Sequence, residues 1–194
     1  MRATISSLAF AATRAIAQNR SAPFNLILRS LHSKLNGSAL FSCHEGAAIE
    51  GLCVTTAFNP PFSTSTYNFN YSAQWNPDPA LRYAGILTYE LGGVNLSSPI
   101  SLQTNPTSNV ALSFFTPSLE DYITVGFDQN NLMYIIGYTD DTTTPVTYSA
   151  KPYYRWYVCT VMASYTYEIL TWVYGPKRLE NPSCYKVDVE RVFT

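Results

Sequence analysis

The four cysteines are the residues of this chain whose spacing points most directly to chemistry. Four cysteines allow three pairings, and we expect the two local ones, Cys43–Cys53 and Cys159–Cys184. The first pair would close a small loop, and the second would connect two predicted strand ends. Because disulfides persist in oxidising compartments, this pattern predicts an extracellular protein.

Histidine is scarce, since the chain contains only His32 and His44. A zinc site needs three or four His, Cys or carboxylate ligands, and the cysteines are better used as disulfides. His44-Glu45 has no second His at the spacing of a helical metalloprotease motif, and neither a phosphate-binding Gly-rich loop nor a G-x-S-x-G elbow occurs. We therefore expect no metal, no cofactor and no catalytic residue of these kinds.

A pair of carboxylates is the remaining route to catalysis, because a glycosidase needs only two Asp or Glu side chains at a suitable separation. Spacing along the sequence does not show which carboxylates converge, so exposed turn residues are the commoner explanation. An enzyme of this kind stays an alternative, and the balance favours a protein that is not an enzyme. The candidates are Glu90, Glu120, Asp121, Asp128, Asp140, Asp141 and Glu168.

Aromatic residues make up 14% of the chain and include 15 tyrosines, many of them near the C-terminus. The commoner explanation is packing in the core and between neighbouring strands. The functional alternative is an exposed surface that stacks on sugar rings or on a partner protein. Tyr153, Arg155 and Tyr157 would share one face of a strand, and they are the candidates for such a surface.

The elements that must position these residues are short strands. Only 13% of the residues are charged, and the abundant Tyr and Thr side chains favour strands. Apolar segments recur between Pro, Gly, Asn and Asp, and no capped helical stretch occurs after residue 54. This pattern predicts an all-β fold, either an antiparallel β-sandwich or a barrel with two disulfides, with a β-trefoil as the alternative. The predicted strands are 24–29, 67–73, 81–90, 100–104, 111–115, 123–127, 132–138, 153–161, 165–174 and 185–192.

Two polar segments predict tight turns between strands. Asn36-Gly37 accepts positive φ and would reverse the chain after the first strand. Asp128 to Asn131 would close a hairpin, because Asx side chains bind their own backbone in turns.

Residues 1–17 predict a secretory signal peptide, and residues 18–194 predict a single β-rich domain. Arg2 supplies the positive end, residues 5–12 the apolar stretch, and Ala15-Ile16-Ala17 the cleavage site. Arg14 interrupts this pattern, and no acidic residue precedes Glu45, so a mitochondrial import signal is the alternative.

Charge and hydropathy limit the partners of the protein. The formal net charge of −1 gives no electrostatic footprint for nucleic acid, and no apolar run approaches the roughly 20 residues that span a membrane. N-x-[ST] sequons occur at Asn19, Asn36, Asn70 and Asn95. We regard Asn36, Asn70 and Asn95 as possible glycosylation sites.

Five segments together carry a family resemblance: 35–38, 43–53, 125–128, 155–159 and 181–184. They resemble a group of small secreted proteins of filamentous fungi that carry a domain of unknown function. The resemblance extends from about Phe24 to Phe193. It implies a fungal, extracellular protein with four cysteines, and it transfers no activity and no catalytic residue.

These observations favour a secreted, disulfide-stabilised β domain that acts as a binding or interaction module. Its partner would be a glycan or a protein surface, at a cell wall or on a host. A secreted hydrolase that cleaves polysaccharide with two carboxylates is one alternative, and a structural wall component is the other.

Overall fold

The computed structural model of the protein describes residues 18–54, 65–72, 81–92, 96–118 and 120–194. In these ranges the regular structure consists of 15 strands, which pair antiparallel in one open sheet. The predicted all-β, antiparallel fold with two disulfides is confirmed. The same ranges contain no helix with the length and apolarity that crossing a membrane requires.

The strand bounds agree with most of the predicted segments to within a few residues. The strands are β1 (Asn19–Arg20), β2 (Phe24–Arg29), β3 (Leu40–Gly46), β4 (Ile49–Val54), β5 (Tyr67–Tyr71), β6 (Ala84–Leu91), β7 (Leu96–Thr104), β8 (Val110–Phe115), β9 (Val125–Phe127), β10 (Met133–Asp140), β11 (Thr147–Tyr153), β12 (Trp156–Met162), β13 (Thr166–Val173), β14 (Tyr185–Lys186) and β15 (Asp188–Phe193).

The sheet has two halves that share strand β7. Pro99 in β7 pairs with Thr88 in β6, whereas the next residue, Ile100, pairs with Phe115 in β8. On the β6 side follow β5, β2 and β15, and on the β8 side follow β4, β13 and β12. The inward faces of both halves contribute to one core, which contains both Leu87 of β6 and Trp172 of β13.

Alternation of apolar and polar residues explains how these strands bury one face. In β2 the side chains of Phe24, Leu26 and Leu28 are fully buried, and Arg29 at the end of the strand is exposed. Trp156 in β12 is also fully buried, and its indole Nε1 donates a hydrogen bond of 2.8 Å to the carbonyl of Met133. Pairing of the buried indole N–H removes the penalty that an unpaired donor would carry in the core.

Both predicted disulfide pairings are confirmed, but the first one has a different setting from the one we expected. Cys43–Cys53 does not close an irregular loop. It lies across the hairpin of β3 and β4, in which Cys43 is opposite Gly51. The hairpin reverses beside Ala48, whose φ of 60° lies in the left-handed region that tight turns use. Cys159–Cys184 connects β12 to the segment before β14.

The segment predicted as a single strand over residues 153–161 is divided between two strands. Tyr153 ends β11, and Trp156 begins β12. Strand β11 was missed because it is an exposed edge strand, and an edge strand with solvent on both faces needs no apolar alternation. The division places Tyr153 and Tyr157 on different strands.

Candidate functional site

The three residues of the predicted aromatic surface are all half-buried, and each is in contact with a neighbour. The guanidinium of Arg155 lies 4.8 Å from the ring centre of Tyr153, which packs against the main core. Tyr157 packs beside the Cys159–Cys184 bridge, and the ammonium of Lys186 lies 5.3 Å from its ring centre. A binding role for this trio stays a prediction.

Several candidate carboxylates have structural partners in the described residues. Glu90 forms an ion pair of 2.9 Å with Arg20. The carboxylate of Asp128 accepts hydrogen bonds from the backbone of Asn130 and Leu132 and from the hydroxyl of Tyr154. Hydrogen bonds from Thr142 lower the pKa of Asp140. Glu120, Asp121, Asp141 and Glu168 are exposed.

One acidic cluster that we did not predict lies on the hairpin of β3 and β4. Burial raises the pKa of the Glu50 carboxyl, His44 lowers it, and the charge of Glu45 raises it. The Nδ1 atom of His44 lies 3.8 Å from the Glu50 carboxylate. Glu45 is buried, and its carboxylate accepts a hydrogen bond of 3.1 Å from the backbone N–H of Ser164. Because Glu45 faces the interior, this cluster does not form an open pair of carboxylates.

The sequons have different environments. Asn36 is exposed at the turn after β2, where its side-chain oxygen accepts a hydrogen bond from the backbone of Ser30. Asn70 is half-buried in β5, and its amide donates to the hydroxyl of Thr88. Asn95 lies outside the described residues. Glycosylation at these sites stays a prediction, and Asn36 has the more accessible side chain of the described pair.

The site with the richest chemistry is a groove of about 680 Å³ where β1, β5, β9, β15 and the segment before β6 meet. This volume falls within the range of small-molecule sites. We call it the arginine–aromatic groove, and its lining is mainly cationic and aromatic. The lining residues are the cations Arg20, Arg82 and Arg191, the aromatic residues Phe69, Tyr71, Tyr83, Phe127 and Phe193, and the small residues Ser21 and Ala22.

The aromatic wall of the groove is a ladder of three nearly parallel rings. The ring centres of Tyr83 and Tyr71 are 5.0 Å apart, and those of Tyr71 and Phe69 are 5.6 Å apart. Phe69 is buried, whereas Tyr83 at the outer end is 38% exposed. The ladder therefore begins in the core and ends at the surface.

Strand β5 and a glycine of β6 build this ladder. Tyr67, Phe69 and Tyr71 alternate along β5 and thus point to the same face. Gly85 lies opposite Tyr71, and a Cβ atom at position 85 would come within 2.9 Å of the Phe69 ring. Glycine is required there because a Cβ atom would also come within 2.3 Å of the backbone oxygen of Asn70, which cannot move aside as a side chain can.

Among the described residues, Arg20 of the cationic wall has a carboxylate partner and Arg191 has none. Arg20 donates to Asn68 at 2.7 Å and to Glu90 at 2.9 Å. Arg191 donates to the side-chain oxygen of Asn131 at 3.0 Å, and its guanidinium lies 4.3 Å from the ring centre of Phe127. Burial and the positive charge of Arg82 lower the pKa of Arg191 to about 10.

The described lining of the groove is aromatic, cationic and in part apolar. Among the described residues the groove has no carboxylate in its lining. No group of three or more His, Cys, Asp or Glu side chains in the described ranges is placed to hold a metal ion. The groove offers flat rings and guanidinium donors, which are the features of recognition sites.

We did not predict this groove from the sequence. Its arginines belong to β1, the segment before β6 and β15, which are far apart along the chain. The one local signal was the alternation of Tyr67, Phe69 and Tyr71, which shows that these rings share a face but not what lies beside them.

The family model described as "Domain of unknown function (DUF7907)" matches residues 21–193. The chain belongs to the DUF7907 family. The DUF7907 domain contains both disulfides and every lining residue of the groove except Arg20. No curated protein and no solved structure matches the chain significantly.

Proposed function

We propose that this protein is a secreted binding module that holds a glycan in the arginine–aromatic groove. The observation that carries this proposal is the ring ladder, which ends at the half-exposed Tyr83. Aromatic faces carry partial negative charge, and the C–H groups on one face of a sugar ring are complementary to it. Two rings stacked behind Tyr83 hold it in place, so little side-chain freedom is lost when a ligand binds.

Secretion is part of this proposal. The leader pattern of residues 1–17 supports it, as do the two disulfides, because such bridges persist outside the cytosol. The resemblance to small secreted fungal proteins agrees with a role at a cell wall or on a host surface. The groove does not favour the hydrolase alternative, because its described lining offers no carboxylate pair.

Glycan-array screening followed by titration calorimetry tests the glycan-binding function. We expect the protein to bind a subset of oligosaccharides. Replacement of Tyr83 by Ala should weaken this binding roughly tenfold, because a stacking ring of this kind contributes about 1 kcal/mol or more. The matched control is Tyr148→Ala, which removes a ring that is 79% exposed on β11, outside the groove.

Two results would contradict the proposal. One is an array on which no glycan is bound by the folded protein. The other is equal affinity of Tyr83→Ala and the wild type, with the variant melting as cooperatively as the wild type.

A further inference from the structure

Arg191 is a cation whose hydrogen-bond donors are not all paired within the described residues. Its Nε atom is buried and has no hydrogen-bond partner in the described residues. The guanidinium is surrounded by the rings of Phe24, Phe127 and Phe193, with ring centres at 5.6, 4.3 and 4.9 Å. Within the part of the chain that the structure describes, no carboxylate forms an ion pair with Arg191.

Arg82 brings a second positive charge to the same groove. It is exposed, and its backbone has a φ of 56°, in the left-handed region that residues other than glycine rarely adopt. Two cations close enough to influence each other's pKa repel, and an anion placed between them would reverse that repulsion.

The described lining of the groove is cationic, although the whole chain carries a formal net charge of −1. Its described lining has three arginines and no acidic side chain. Guanidinium groups present a planar set of N–H donors that matches the oxygens of a carboxylate or a sulfate. The lining therefore combines an anion site with a sugar-stacking ring, Tyr83.

We infer that the ligand of the groove is an acidic glycan, whose carboxylate or sulfate group is held by Arg191 and Arg82 while a neighbouring sugar ring stacks on Tyr83. This inference rests on the proposed glycan-binding function and adds the chemical class of the glycan. It explains why a chain with few charged residues places three arginines along one groove.

Calorimetry with three probes tests the inference on the wild-type protein. The probes are an oligogalacturonate, the same oligomer with its carboxyl groups methyl-esterified, and a sulfated oligosaccharide of similar length. We expect the free acid to bind at least about tenfold more tightly than the ester at low salt, and this advantage to shrink as salt is added. The sulfated probe decides whether sulfate substitutes for carboxylate.

Three variants test whether the groove causes the preference for the acidic probe. Arg191→Gln and Arg82→Gln should each remove most of the advantage of the acidic probe over the ester, because each should weaken binding of the acid far more than binding of the ester. The matched control is Arg178→Gln, which removes an exposed arginine outside the groove lining and should change neither affinity. Because Arg82 is exposed, we expect Arg82→Gln to fold even if loss of Arg191 destabilises β15, and a cooperative melting transition of the variant checks this.

The outcomes separate the inference from the function on which it rests. Equal binding of acid and ester by the wild type, with loss of both in Tyr83→Ala, overturns the anion site and keeps the glycan-binding function. Retention of the acid preference in Arg82→Gln and Arg191→Gln also overturns the anion site. Failure of all three probes, together with an array that shows no bound glycan, overturns both.

Discussion

At the scale of single residues, two side chains lie where burial disfavours their charged forms. Arg191 is surrounded by rings, and Glu50 is half-buried on the hairpin of β3 and β4. For Arg191 we infer a ligand, because the groove beside it is open and contains a second arginine. The Glu50 carboxylate instead lies 3.8 Å from His44 of the protein itself, so we expect its burial to affect the stability of the fold.

Replacement of Glu50 by Gln should raise the free energy of unfolding near neutral pH. Burial raises the pKa of this carboxyl above its usual value, so the folded state disfavours the ionised form. The destabilisation is present when the carboxylate is ionised in both states, and it disappears as the pH falls below the carboxyl pKa of the unfolded chain. Urea unfolding at about pH 7 and at about pH 4 measures the difference.

The matched control for Glu50→Gln is Glu168→Gln, which changes an exposed carboxylate on β13 and should show little pH-dependent effect. A Glu50→Gln variant that is less stable than the wild type at neutral pH would show that its pairing with His44 outweighs burial.

At the scale of elements, the hairpin of β9 and β10 shows which features follow from local chemistry. The carboxylate of Asp128 accepts hydrogen bonds from the backbone of Asn130 and Leu132, and Asn131 has a φ of 60°. The polar segment from Asp128 to Asn131 predicted this turn because Asx side chains close turns within a few residues. Strand β11 was not predicted, because its exposed faces leave no apolar pattern.

The same hairpin also depends on close packing between Gly126 in β9 and a side chain of β10. A Cβ atom at this position would overlap the buried ring of Tyr134 on β10. We expect Gly126→Ala to lower the free energy of unfolding by about 1–3 kcal/mol, because the ring is held in the core and the strands must move apart. Urea unfolding measures this loss.

Gly92→Ala is the matched control for this glycine, since the residue is at a turn and a Cβ atom there would meet no described atom within 4 Å. This replacement should change the free energy of unfolding by no more than about 0.5 kcal/mol. Equal stability of the two variants would mean that the ring of Tyr134 moves aside at little cost.

At the scale of the whole molecule, the two disulfides restrain different parts of the sheet. Cys43–Cys53 connects two strands of one hairpin, with a sequence separation of 10 residues. Cys159–Cys184 has a separation of 25 residues and is buried in a cluster with Val110 and Val173. The second bridge therefore connects segments that no short turn joins.

Removal of the Cys159–Cys184 bridge by double replacement with Ala should lower the free energy of unfolding by about 3–4 kcal/mol. The corresponding loss for Cys43 and Cys53 should be nearer 3 kcal/mol, because the chain entropy released by opening a bridge grows with the length of the closed loop. Denaturant unfolding of both double variants measures the two losses. A smaller loss for the longer bridge would contradict the ranking.

The sequence by itself determined the all-β class, the faces of strands such as β2 and the turn at Asp128, and it favoured the two disulfide pairings that the structure contains. These features depend on neighbours within a few residues or on a small number of possible pairings. Only the tertiary structure decided that Tyr83, Arg82 and Arg191 line one groove. Alternation along a strand shows which face a side chain occupies. It does not show which strands are neighbours, because β15 pairs with β2 and β5 pairs with β6 across distant parts of the sequence. The register of these pairs decides which side chains meet in the groove.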